Sequence, residues 1–153
     1  MLDVPVKSED DDGVAAWSAL LRAHAAVVPV IDTELRRTAG LPLTWYDVLL
    51  ELNSAPDRRL RMQELGQRAV ISRTRVSRVV DELVAAGYVS REPNPDDRRS
   101  SFAHLTDEGR RVFRRAAPRY LAAVRSHFAG RLSPEQLRAV REALGTIVDA
   151  PSG

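Results

Sequence analysis

The sequence predicts a mainly α-helical chain that carries one small β-hairpin, and three observations point there. Apolar side chains recur at three- and four-residue spacing over most of the 153 residues, the mark of helix faces. Two short alternating segments, Tyr88 to Arg91 and Ser101 to Leu105, flank a loop holding Pro93 and Pro95, which neither strand nor helix can continue. The composition, 44% apolar and 29% charged with no cysteine, describes one soluble, cytoplasmic-type domain without disulfides, a Cys-based zinc site or a thiol nucleophile.

The N-terminal stretch MLDVPVKSEDDDG lacks the basic-then-apolar order of a signal peptide, and its like charges predict a disordered acidic tail over 1–13. No uncharged run approaches the roughly 18 residues of a membrane-spanning helix, so no membrane association is expected. From Val14 to Thr38 the residues Trp17, Leu20, Leu21, Val27, Val28, Ile31 and Leu35 line one helix face, with a kink expected at Pro29. Gly40 and Pro42 end that helix, and a shorter one follows over 43–53. Ser54 to Asp57 breaks the chain again. Arg59-Leu60-Arg61 then reads as an extended tether before a brief helix over 62–68.

Ala69-Val70-Ile71 makes a three-residue turn into a longer helix that ends at Ala86, where Ser72 is placed as the N-cap, its hydroxyl accepting an unpaired N–H. Val76, Val79, Val80, Leu83 and Val84 form its buried stripe; Arg73, Thr74, Ser77, Arg78 and Asp81 face away. Gly87 stops it and the hairpin follows. Thr106 caps a helix to about Ala129 with a kink expected at Pro118, and Ser133-Pro134-Glu135-Gln136 opens the last helix with capping-box spacing.

Helix, three-residue turn, capped helix and Arg-bearing hairpin is the order of a winged helix-turn-helix. The major groove, about 12 Å wide, admits one α-helix, and small polar and Arg side chains near that helix's N-terminus can reach base edges and phosphates. Ser72, Arg73, Thr74, Arg75, Ser77 and Arg78 supply such a face, and Arg98 and Arg99 stand at the hairpin tip where a minor groove or backbone is in reach. The charge is uneven in the matching sense. Residues 1–57 hold 4 basic and 10 acidic side chains (net −6), and residues 58–119 hold 15 Arg against 8 acidic (net +7). Of the 23 basic residues only Lys7 is lysine, so part of the Arg excess is a compositional bias.

The stretch 60–109 resembles the MarR family of bacterial transcription regulators, through SRTRVSRVVDEL at 72–83, AAGYV at 85–89, PDDRR at 95–99 and LTDEG at 105–109. The helix order outside it fits as well. The resemblance implies that Asp97 organises the wing by partnering nearby arginines, that Arg99 contacts the minor groove, and that the chain is a homodimer joined by its first and last helices. It divides the chain into a DNA-binding lobe at 41–105 and a dimerisation region at 14–40 and 106–149. The expected function is a transcriptional regulator, by family habit a repressor, on double-stranded DNA with a pseudo-palindromic operator. The family also senses small molecules, and Trp17, His24, Trp45 and Tyr46 are the amphipathic candidates for binding a small aromatic or lipophilic effector. Thiol-based sensing is excluded, no cofactor or metal is expected because His24, His104 and His127 are too scattered, and no catalytic constellation is present. The competing reading is a winged-helix protein–protein adaptor whose basic lobe meets an acidic partner.

Overall fold

The computed structural model describes residues 9–151. It contains six α-helices and three strands: α1 (Glu9–Ala39), α2 (Leu43–Ser54), β1 (Arg59–Arg61), α3 (Met62–Arg68), α4 (Arg73–Ala85), β2 (Val89–Pro93), β3 (Ser101–Leu105), α5 (Asp107–His127) and α6 (Pro134–Val148). Single 3₁₀ turns precede β1 and follow α5.

Residues 1–8 of the expected acidic tail lie outside the described residues, but residues 9–13 are helical rather than frayed. Acidic residues gathered at a helix N-terminus are favoured by the helix dipole, which offsets their mutual repulsion. α1 runs unbroken through Pro29, as α5 does through Pro118. One expectation needs correction. Although no uncharged run is long, α1 holds an 18-residue window of mean hydropathy 1.6, long and apolar enough by those measures to cross a membrane. Alanine and valine on both sides of Arg22 outweigh its single charge. The second half of α1 is nonetheless packed, with Ile31 and Leu35 buried as the helix lies along α5.

Gly40, at φ +69°, turns the chain out of α1, and its N–H donates to the Arg36 carbonyl at 3.0 Å. The next helix begins at Pro42, which offers no side-chain cap; the Asp32 carboxylate of α1 accepts the Leu43 N–H instead, at 2.8 Å. α2 then buries Tyr46, Val48, Leu49 and Leu52 at the centre of the fold. Tyr46 stacks on Phe113 and Tyr120 of α5, with ring centroids 5.3 and 4.3 Å away. Burial, reinforced by Tyr120, pushes the Tyr46 hydroxyl pKa up to about 12.

The expected tether at 59–61 is a strand. β1 pairs antiparallel with β3 through Arg59↔His104, Leu60↔Ala103 and Arg61↔Phe102, so the sheet has three strands in the order β1-β3-β2. Its buried Leu60 and Ala103 join the core formed by α2, α4 and α5. The hairpin register is Val89↔Leu105 to Pro93↔Ser101.

The apolar residues left outside that core have a pattern. Trp17, Leu20 and Leu21 in the first half of α1, Leu121 of α5, and Ile147 and Val148 of α6 are all exposed. α6 buries no residue and makes almost no contact with the rest of the chain, although Ser133 and Gln136 complete its capping box.

Candidate nucleic-acid interface

α3, the turn at 69–71 and α4 form the expected helix-turn-helix. Leu65 and Ala69 on one side and Val76, Val79, Val80 and Leu83 on the other are buried, which locks the inner face of α4; Val84, expected in the stripe, is exposed. Thr74, Arg75, Ser77 and Arg78 are all exposed on its outer face. The side chain of Arg73 lies outside the described residues. Ser72 has the extended backbone of an N-cap and its carbonyl accepts the Val76 N–H, but its hydroxyl makes no capping bond. That corrects the expected role. The turn is held instead by Asp47 of α2, whose carboxylate accepts the Val70 N–H at 2.9 Å.

Further along α4, the Trp45 indole N–H donates to Glu82 at 2.8 Å, and the other Glu82 oxygen lies 3.6 Å from Arg78. Arg91 of β2 reaches Asp81 at 2.7 Å and fastens the hairpin to the same helix. Arg91 therefore belongs to the scaffold. Neither Trp45, Asp47 nor Arg91 was singled out for such a role in the sequence, because each partner is 10 to 37 residues away in the chain.

The wing loop is built around Asn94, only 4% exposed. Its amide nitrogen donates to the Ser100 hydroxyl at 2.9 Å and its oxygen accepts the Asp96 N–H at 3.0 Å. Asp97 accepts the Arg99 main-chain N–H at 2.9 Å. The partner of the Asp97 carboxylate is thus the Arg99 backbone, not an Arg side chain. Arg98 and Arg99 are exposed, and among the described residues neither guanidinium has an acidic partner.

The +7 is not a property of residues 41–105 alone. Residues 41–105 hold 10 Arg against 9 acidic side chains, and Arg110, Arg111, Arg114, Arg115 and Arg119 of α5 supply much of the excess. What favours an anion at α4 and the wing is local pairing. Asp81 is occupied by Arg91, Glu92 stands 3.6 Å from Arg59, and Arg75, Arg98 and Arg99 are left without acidic partners among the described residues.

The four effector candidates do not share a cavity. Trp17 and His24 are exposed on the first half of α1, Trp45 is committed to Glu82 and packs edge-on to Tyr88, and Tyr46 is buried in the aromatic stack. None lines the cleft of about 640 Å³ that lies between the α1–α2 junction and α5. Its walls include Leu41, Val112 and Pro118, with Tyr88, Arg115 and Arg119 at its polar parts. Among the described residues no three His, Asp or Glu side chains gather in a way that holds a metal ion.

An exposed, Arg-bearing helix behind a three-residue turn, fastened to an Arg-tipped hairpin, defines a winged helix-turn-helix DNA-binding protein. Residues 39–100 match the profile of the MarR family. Sco3205, a MarR family transcriptional regulator from Streptomyces coelicolor solved in complex with DNA, is 38% identical, with a TM-score of 0.84 over 99% of this chain and 95% of that one. The HTH-type transcriptional regulator YkoM of Bacillus subtilis is 34% identical over 76 residues, 50% of this chain and 49% of that protein, so this chain spans about half of its length. CouR from Rhodococcus jostii RHA1, solved bound to p-coumaroyl-CoA, is 26% identical with a TM-score of 0.73 over 88% of this chain and 92% of that one. The chain belongs to the MarR family of transcriptional regulators, DNA-binding proteins and not enzymes.

Proposed function

We propose that the chain is a homodimeric, sequence-specific transcriptional repressor that binds a pseudo-palindromic operator in the cytoplasm and is released by a small aromatic or lipophilic ligand. The observation that carries the DNA contact is the outer face of α4, where Thr74, Arg75, Ser77 and Arg78 are exposed while the inner face is fixed in the core. Ser72, Arg73, Thr74, Arg75, Ser77 and Arg78 meet the major groove; Arg98 and Arg99 meet the backbone and minor groove, with Asp97 shaping the loop that carries them.

The dimer is supported by the exposed apolar residues of α1, α5 and α6, Trp17, Leu20, Leu21, Leu121, Ile147 and Val148, which the described residues leave uncovered. Residues 14–40 and 106–149 form the subunit contact and 41–105 the DNA-binding lobe. Two recognition helices related by a two-fold axis engage major grooves about 10 base pairs apart, and a dimer seated on a promoter excludes polymerase by volume. The effector is supported by the cleft between the two regions and by the p-coumaroyl-CoA bound to CouR. Arg115 and Arg119 provide charge for an acidic group there and Leu41, Val112 and Pro118 an apolar wall.

The test is fluorescence anisotropy on the DNA upstream of the chain's own reading frame, across a salt series. Arg-to-phosphate contacts release counterions, so affinity should fall steeply with salt. Arg99→Ala should weaken binding and flatten that slope; an unchanged slope and affinity would remove Arg99 from the interface.

A further inference from the structure

Apolar packing fixes how closely two helices approach but is non-directional, so it leaves their crossing angle softly defined. α2 and α4 are in contact, and Val48, Leu49 and Leu52 of the one and Val76, Val80 and Leu83 of the other are buried in a single apolar core. Two polar bonds sit outside that contact. Asp47 accepts the Val70 N–H in the turn before α4, and Trp45 donates to Glu82 toward its far end. Residues two apart on a helix project about 200° from each other, so Trp45 and Asp47 leave α2 on opposite sides. Glu82 stands ten residues beyond Ser72, about 15 Å along the helix axis. Two bonds on opposite sides of α2, at opposite ends of α4, resist rotation of one helix on the other as a couple.

We infer that Trp45 and Asp47 are positioning residues for DNA recognition: together they set the angle at which α4 is presented to the groove. This reassigns Trp45 from the effector pocket to the reading head, and it rests on α4 being the recognition helix. The need for such anchors is local. The Ser72 hydroxyl caps nothing, and Val70, between buried Ala69 and partly buried Ile71, is itself 85% exposed, so no packing of its own side chain backs up the bond from its N–H to Asp47. A helix that rocks still meets phosphates, which tolerate displacement, but loses base-edge contacts, which do not.

The consequence has a sign that electrostatics alone would reverse. Removing an acidic side chain beside a DNA interface should tighten binding to any duplex. The anchor reading requires Asp47→Ala to weaken binding about three- to tenfold on a duplex that the wild-type chain selects from a random pool, the loss expected for one hydrogen bond. On a scrambled duplex of equal length Asp47→Ala should bind as tightly as wild type or more so. Asp47→Asn, which loses the charge but keeps an acceptor for Val70, should stay within about twofold of wild type on the selected duplex, and Trp45→Phe should behave like Asp47→Ala. Hydrogen exchange at the Val70 amide should quicken in Asp47→Ala and not in Asp47→Asn.

Equal weakening on both duplexes, unchanged or tighter binding of Asp47→Ala to the selected duplex, or an Asp47→Asn as weak as Asp47→Ala would each overturn the inference. If thermal melting shows Asp47→Ala to be unfolded, Trp45→Phe on the two duplexes and the Val70 exchange rate in Asp47→Asn decide it. A wild-type chain that selects no duplex would instead defeat the recognition-helix reading, with the Val70 exchange comparison still reporting on the bond itself.

Discussion

At Gly109 a Cβ atom would stand 2.0 Å from the Tyr88 carbonyl oxygen and 2.8 Å from a Leu105 methyl. No side chain fits where the start of α5 lies on the backbone after α4, which gives the last position of the LTDEG stretch its physical reason. Gly109→Ala should lower stability by about 2 kcal/mol or more, read as a shift in denaturant midpoint, because the obstacle is main chain and cannot rotate away. Thr106 secures the same corner: its hydroxyl accepts the Gly109 N–H at 3.0 Å and donates to the Gly87 carbonyl at 2.7 Å. Thr106→Val keeps the shape and loses both bonds, for an expected cost of about 1 kcal/mol in the same measurement. The cap was legible in the sequence and the steric role of Gly109 was not, since the atom it would strike belongs to Tyr88.

The elements divide by how local their causes are. α4, α5 and α6 were readable from periodicity and from the Ser72, Thr106 and Ser133 boundaries, even though the Ser72 hydroxyl does not cap. β1 was not, because three residues give no alternation to read and its pairing partner lies more than forty residues on. The wing shows a further limit. Turn formers between 93 and 100 announce a loop, yet only its folding reveals that Asn94 is the buried residue within it. Asn94→Ala should leave the Asp96 N–H unpaired, remove the amide that donates to the Ser100 hydroxyl, and loosen the tip. Faster tryptic cleavage after Arg98 and Arg99, with little change in global melting, is the expected result.

Glu51 on α2 has a carboxyl pKa raised by burial and then by Asp47, with Arg68 opposing. A raised folded-state pKa means the folded chain holds its proton to higher pH than the unfolded one, so this group's penalty grows as pH rises through the carboxylate range. Glu51→Gln should therefore raise the melting temperature at neutral pH, and the gain should vanish on acidification below the ordinary glutamate range. The exposed residues Leu21 and Ile147 bear on the proposed dimer. Leu21→Glu with Ile147→Glu should give a monomer in sedimentation and lower affinity for a two-half-site duplex at least about tenfold, since each lobe then binds alone. A dimer that survives both changes would place the subunit contact elsewhere.

By itself the sequence determined the class of this protein, its helix order, its helix-turn-helix and its Arg-tipped wing. Those rest on periodicity, caps, turn formers and short motifs, which are local along the chain. Tertiary structure alone decided which charges are left without acidic partners, that α2 holds α4 through Trp45 and the turn before it through Asp47, that β1 completes the sheet, and that the cleft beside α5 is bounded by Tyr88, Arg115 and Arg119 rather than by Trp17, His24, Trp45 and Tyr46. The physical reason is the same in each case. Pairing, packing and enclosure depend on distances in space, and a sequence records those only between near neighbours.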